Sequence, residues 1–163
     1  MSVIAARVIE STIEIAADSI LIKEDIKRTG YKKLYRMLDD FVVGGCGSAE
    51  ELSLFFEFAK RNKPQAKTIA GIIDYIKLFS EYKQRFTEDS TVNNEYLIIY
   101  GGTLYEVDGL FVTEVIDYTA IGQGEAYALS ALYLGYDAYT AVDTACELCL
   151  NVSKPILTYT IKK

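Results

Sequence analysis

Residues 2–19 read SVIAARVIESTIEIAADS, and the reading of this stretch decides the fold. Val, Ile and Ala dominate residues 2–9 and again 12–18, the composition of two strands, and Glu10-Ser11 between them suits a turn. A two-residue hairpin turn fixes the pairing: Ser2 stands opposite Ser19, and Val3 opposite Asp18. Outward from this hairpin, residues 20–31 are of mixed charge and carry Gly30, which predicts a surface excursion. Lys33–Leu38 and Phe41–Cys46 then form a second hairpin about Asp39-Asp40.

Two helices follow. Ser48 and Glu51 spell an S-x-x-E capping box, ahead of Leu52, Phe55, Phe56 and Ala59 at helical spacing. Asn62-Lys63-Pro64 interrupts the pattern, and a second helix carries Ile69, Ile72, Ile73, Ile76 and Phe79 on one face. The polar segment Thr87–Asn94 reads as a loop. Gly101-Gly102 joins strands Tyr96–Tyr100 and Leu104–Val107, with a further turn at Asp108-Gly109 and a short strand at Tyr118–Ile121. A helix over about Gly124–Leu134 stops at Gly135, and Asp137 caps a last helix with the stripe Ala138, Ala141, Val142, Ala145 and Cys149. Pro155–Ile161 closes the chain as a strand. Strands, two helices, strands, two helices and a strand imply an α+β fold: a four-layer αββα sandwich of two antiparallel sheets, built as one domain over residues 1–163.

The bulk composition narrows the function. A net charge of −6 argues against a nucleic-acid partner, which needs a basic surface. No apolar run is long enough to span a bilayer, and residues 1–7 show no basic leader with an apolar h-region, so a cytoplasmic location is expected. Cys146 and Cys149 form a C-x-x-C, yet with Cys46 as the one other cysteine and no histidine the ligand set for zinc is incomplete. Core packing is the expected role of the pair, with no metal and no cofactor. The missing histidine also removes Ser-His-Asp and Cys-His catalysis. A chain-start hydroxyl can instead take its own α-amine as base, because that amine is partly neutral near pH 7 and is already in place. Ser2 becomes such a residue once Met1 is removed.

The run from Ser2 to Arg7, Ala16-Ala17-Asp18-Ser19, Lys32-Lys33, and Gly44-Gly45-Cys46-Gly47-Ser48-Ala49 together resemble HslV and the proteasome β subunits. So does Ala120-Ile121-Gly122-Gln123-Gly124-Glu125-Ala126-Tyr127-Ala128, ahead of an alanine-rich helix near Ala138. These are N-terminal-nucleophile (Ntn) hydrolases. The resemblance implies Ser2 in the place of the catalytic threonine, and Asp18 as the acid orienting the lysine and the amino terminus. It implies Lys33 as the nearby positive charge, with Lys32 the rival assignment, and the Gly47 N–H as oxyanion donor. Gln123 stands where the family commonly has a serine of the catalytic network, and Ser153 matches a C-terminal accessory serine whose acidic companion falls near Leu150 or Asn151. Gly122-Gln123-Gly124 is no dinucleotide fingerprint, since the third glycine and the βαβ context are absent.

The reading that results is a peptidase with an N-terminal serine nucleophile, hydrolysing unfolded polypeptide inside a homo-oligomeric ring. The chain carries no Walker motif, so the resemblance implies a separate AAA+ unfoldase partner. The alternative is a catalytically inactive ring-forming structural or binding subunit of the same fold, with a small-molecule amidase as a third reading.

Overall fold

The computed structural model describes residues 2–23 and 26–163. The first hairpin forms as its sequence dictates. β1 (Ile4–Val8) pairs with β2 (Thr12–Ala17) with Ile4 opposite Ala17, the register a two-residue Glu10-Ser11 turn requires, and Asp18 N–H donates to the Val3 carbonyl at 3.2 Å. β1 is central, flanked by β2 and by β10 (Tyr118–Ile121), while β11 (Leu157–Lys162) pairs with the other edge of β2. A second sheet runs β5 (Leu34–Leu38), β6 (Phe41–Cys46), β7 (Glu95–Tyr100), β8 (Thr103–Asp108) and β9 (Phe111–Val115), every pair antiparallel.

Strand alternation sends side chains into two different cores. Ile4, Ala6, Ile13 and Ile15 face the second sheet and meet Leu34, Val42, Leu97, Ile99 and Leu104. Val3, Ala5 and Ala16 face the opposite way, against α3 (Glu125–Tyr133) and α4 (Ala138–Leu148), through Ala128, Ala131, Ala138, Ala141 and Ala145. This is why residues 3–6 carry no polar alternation: both faces of the strand are covered. On the far side, α1 (Ala49–Ala59) and α2 (Ile69–Lys83) cover the second sheet with an aromatic core of Phe41, Phe55, Phe58, Tyr75, Phe79 and Tyr96. The layers are therefore helix, sheet, sheet, helix, an α+β sandwich.

Four local expectations are corrected. The Ser48/Glu51 capping box does not form. Ser48 is the N-cap residue without a side-chain cap bond, and Glu51 turns inward to Lys83 and the backbone of residues 93 and 94. Charge-assisted bonds in the interior outweigh a single exposed cap bond. Residues 20–31, read as a surface excursion with no strands marked, hold a two-stranded ribbon, β3 (Ile20–Lys23) with β4 (Ile26–Thr29). β4 is exposed along its length, so no core-facing pattern marked it. β9 was not read as a strand; it is the sheet's edge, with Phe111 71 % exposed while Val112 faces the core. Finally, Cys146 and Cys149 are free thiols packed at the margin of the alanine-rich core, partly buried rather than inside it. Among the described residues no helix is long and apolar enough to cross a membrane, and no cluster of His, Cys, Asp and Glu is disposed to hold a metal.

Candidate active site

At the end of β1 the hairpin register delivers Asp18 to the start of the described chain. Asp18 is buried, and each carboxylate oxygen is occupied: Oδ1 accepts the Val3 N–H at 2.9 Å, Oδ2 accepts the Ile20 N–H at 3.2 Å, and both accept Lys33 Nζ at 2.9 Å. Lys33, the residue before β5, is itself only 2 % exposed. Lys32 points elsewhere, with its ammonium 4.6 Å over the Tyr35 ring, so Lys33 is the lysine that Asp18 holds. A buried ion pair with this many hydrogen bonds keeps an ammonium in a place where an unpaired one is very costly.

Ser2 lies directly before the Val3 amide that Asp18 grips, and it lines a cleft of about 440 Å³ with Cys46, Gly47, Asn93, Glu95, Asp108, Gly122, Gln123 and Glu125. Its backbone carbonyl accepts the Gly124 N–H at 3.2 Å. The glycines on either side of Gln123 make this approach possible. Gly122 has φ +91°, and a Cβ there would lie 2.5 Å from the Ser2 carbonyl oxygen; one on Gly124 would lie 2.8 Å from Val3 Cβ. The Gly-x-Gly spacing thus serves close packing of the β10–α3 turn against the start of β1. Gly47 has φ +134°, a conformation suited to glycine, and sits across the cleft at the end of β6.

The six residues expected at the site do not all arrive there. Ser2, Gly47 and Gln123 line the cleft, and Asp18 and Lys33 are buried behind Ser2. Ser153 does not line it; its backbone carbonyl accepts the Ser19 N–H at 3.3 Å, a contact with the chain leaving β2. Gln123 is exposed at the rim. Met1, whose removal would free the Ser2 amine, lies outside the described residues.

Sequence reasoning missed four groups. The Cys46 thiol hydrogen-bonds the Ser2 side chain and donates to the Ile121 carbonyl at 3.7 Å. Burial pushes this thiol up to about 12, against the opposing pull of the Lys33 charge, so it stays a neutral, weak hydrogen-bonding group. Alternation along β6 was the available signal, since it puts Cys46 on the same face as Val42, toward the first sheet. Glu95, Asp108 and Glu125 give the cleft an acidic wall. Glu95 and Asp108 stand opposite each other on β7 and β8, and Glu95 accepts the Gly122 N–H at 3.2 Å. Burial, then the charges of Glu95 and Glu106, holds the Glu125 carboxyl above its ordinary range. No sequence-local signal joins these three, which come from separate elements.

Chemically, the cleft offers a hydroxyl and a glycine backbone, with a fixed ammonium buried behind the hydroxyl and neither an imidazole nor a thiolate in its lining. Neither a protein-family model nor a curated protein sequence matches the chain. Solved structures do. BPH from Thiobacillus denitrificans is similar with a TM-score of 0.85 at 23% identity, over 98% of this chain and 97% of that one. The same protein in complex with epoxomicin gives 0.83 at 21%, covering 98% of each chain. Eukaryotic HslV from Trypanosoma brucei gives 0.74 at 18%, covering 99% of each.

Proposed function

We propose that this chain, which has the fold of HslV and the proteasome-like proteins, is an Ntn peptidase with Ser2 as its nucleophile once Met1 is removed. The observation that carries the reading is the Asp18–Lys33 pair, buried directly behind a serine that lines a cleft with Gly47. In the reaction, Ser2 Oγ attacks a peptide carbonyl and gives its proton to the neutral α-amine of the same residue. The Lys33 ammonium lowers the cost of negative charge at Oγ, and the Gly47 N–H receives the oxyanion. The C–N bond then breaks, and the α-ammonium returns its proton to the departing amine. Water, deprotonated by the same amine, cleaves the Ser2 ester and restores the hydroxyl. Asp18 holds Lys33 and the Val3 amide in place through the cycle.

The resemblance to HslV and proteasome β subunits supports an assembly to match: a homo-oligomeric ring in the cytoplasm, enclosing the clefts, acting on unfolded polypeptide delivered by an AAA+ unfoldase. A second reading, an inactive ring subunit, draws on Gln123, which stands exposed at the rim where the family commonly has a serine. The two readings separate in one experiment. Intact mass establishes that Met1 is absent, and a peptidyl-fluorophore assay compares that protein with Ser2→Ala. Turnover that depends on Ser2 is expected; equal rates in both proteins would rule out Ser2 as the nucleophile.

A further inference from the structure

Gly47 is held from both sides by two consecutive residues of a distant segment. On one flank Cys46 pairs with Glu95 in the β6–β7 ladder. On the other, Asn94 clamps Ser48: its Oδ1 accepts the Ser48 N–H at 2.7 Å and its Nδ2 donates to the Ser48 carbonyl at 2.9 Å. The fit is close enough that a Cβ on Gly47 would lie 2.1 Å from Asn94 Oδ1. Asn94 is only 2 % exposed and is itself fixed, its backbone N–H donating to Glu51 Oε1 at 2.9 Å. Glu51 also accepts Tyr96 OH at 2.9 Å, the Asn93 N–H at 3.1 Å and Lys83 Nζ at 2.8 Å. Lys83 in turn donates to the Thr91 carbonyl. One buried ion pair thus orders residues 91–94, and the last of these grips the residue after Gly47.

We infer that Asn94 is a positioning residue for the reaction: by clamping Ser48 it fixes the backbone of Gly47, so that the Gly47 N–H is held in place before the oxyanion forms. The inference rests on the Ser2 reading above. An oxyanion donor acts through preorganisation, and a displacement of about 1 Å at such a group costs on the order of 100-fold in rate. A residue that only stabilised the fold would change the folded fraction and leave the turnover of each folded molecule intact.

The test uses the Met1-free protein, with Asn94→Ala and the same-sized Asn94→Asp, which loses the donor to the Ser48 carbonyl while keeping an acceptor for its N–H. The folded fraction is set by circular dichroism, and kcat, KM and the affinity of a peptide aldehyde, which forms a tetrahedral adduct, are measured for each. The expected result is a kcat lower by about 10- to 100-fold, KM within about threefold of wild type, and aldehyde affinity falling in step with kcat/KM. A Ser2-dependent wild type whose Asn94 variants keep kcat and aldehyde affinity overturns the inference and leaves the Ser2 reading standing. A wild type without Ser2-dependent turnover overturns the Ser2 reading and the inference with it.

Discussion

Among the described residues two lysine–carboxylate pairs are buried, one beside Ser2 and the other behind Asn94, which clamps Ser48 next to Gly47. Asp18–Lys33 joins the end of the first hairpin to the start of the second, next to Ser2. Glu51–Lys83 joins the first turn of α1 to the last turn of α2, behind Gly47 and Asn94. Each carboxylate also collects backbone N–H groups, two for Asp18 and those of Asn93 and Asn94 for Glu51. The difference lies in what the lysine faces. Lys33 acts on Cys46 as well as Asp18, so its charge reaches the wall of the cleft; Lys83 spends its donors on Glu51 and the Thr91 carbonyl. The same pairing chemistry therefore supplies a charge to the site in one case and a scaffold for it in the other.

This contrast can be broken most directly at Lys33. Lys33→Met is expected to lower the Ser2-dependent turnover of folded protein by about 10²- to 10⁴-fold, read with a peptidyl-fluorophore substrate. Activity within tenfold of wild type would make Lys33 as structural as Lys83. The second pair gives the converse. Lys83→Met leaves Glu51 charged and unpaired in the interior, and urea unfolding is expected to show a loss of about 3–5 kcal/mol. Turnover per folded molecule should fall far less than for Lys33→Met, and an equal fall would erase the distinction between the pairs. A surface carboxylate sharpens the scale. Asp137 caps α4 through the Thr140 N–H at 2.7 Å, which holds its carboxyl below the ordinary Asp range. Asp137→Ala is expected to cost about 1 kcal/mol near neutral pH. Because the folded value is lowered, this stabilisation is complete above the ordinary Asp pKa and disappears as pH falls through the lowered one. The stabilities of the two proteins should converge in acid; a gap that persists there would assign the loss to packing.

The pairs were not equally legible in the sequence. Asp18 could be placed beside Val3 because a two-residue turn leaves one register for the hairpin, and the structure has that register. Lys33 and Gly47 came from the resemblance, and the choice between Lys32 and Lys33 needed the fold. Glu51 was misread because its local rule was satisfied on paper: S-x-x-E describes a helix start, while the group that claims Glu51 lies 32 residues away at Lys83. Local patterns fail where a side chain has a stronger partner that only tertiary structure supplies. The acidic wall was hidden for a related reason, since Glu95, Asp108 and Glu125 belong to β7, the end of β8 and α3. Ser153 shows another kind of failure: the resemblance put it at the site, but it does not line the cleft, and its backbone carbonyl accepts the Ser19 N–H instead.

The strand order β10-β1-β2-β11 carries a consequence for biogenesis. β1 waits for residues 118–121 to gain one neighbour, and its hairpin partner waits for residues 157–162 to gain the other. Such pairings have high contact order and close late, after the loop entropy of nearly the whole chain has been overcome. A nascent or truncated chain therefore has the second sheet's hairpins available early but cannot complete the wall on which Ser2 rests. The sheet behind Ser2 is thus timed by topology, complete only once residues 157–162 are in place.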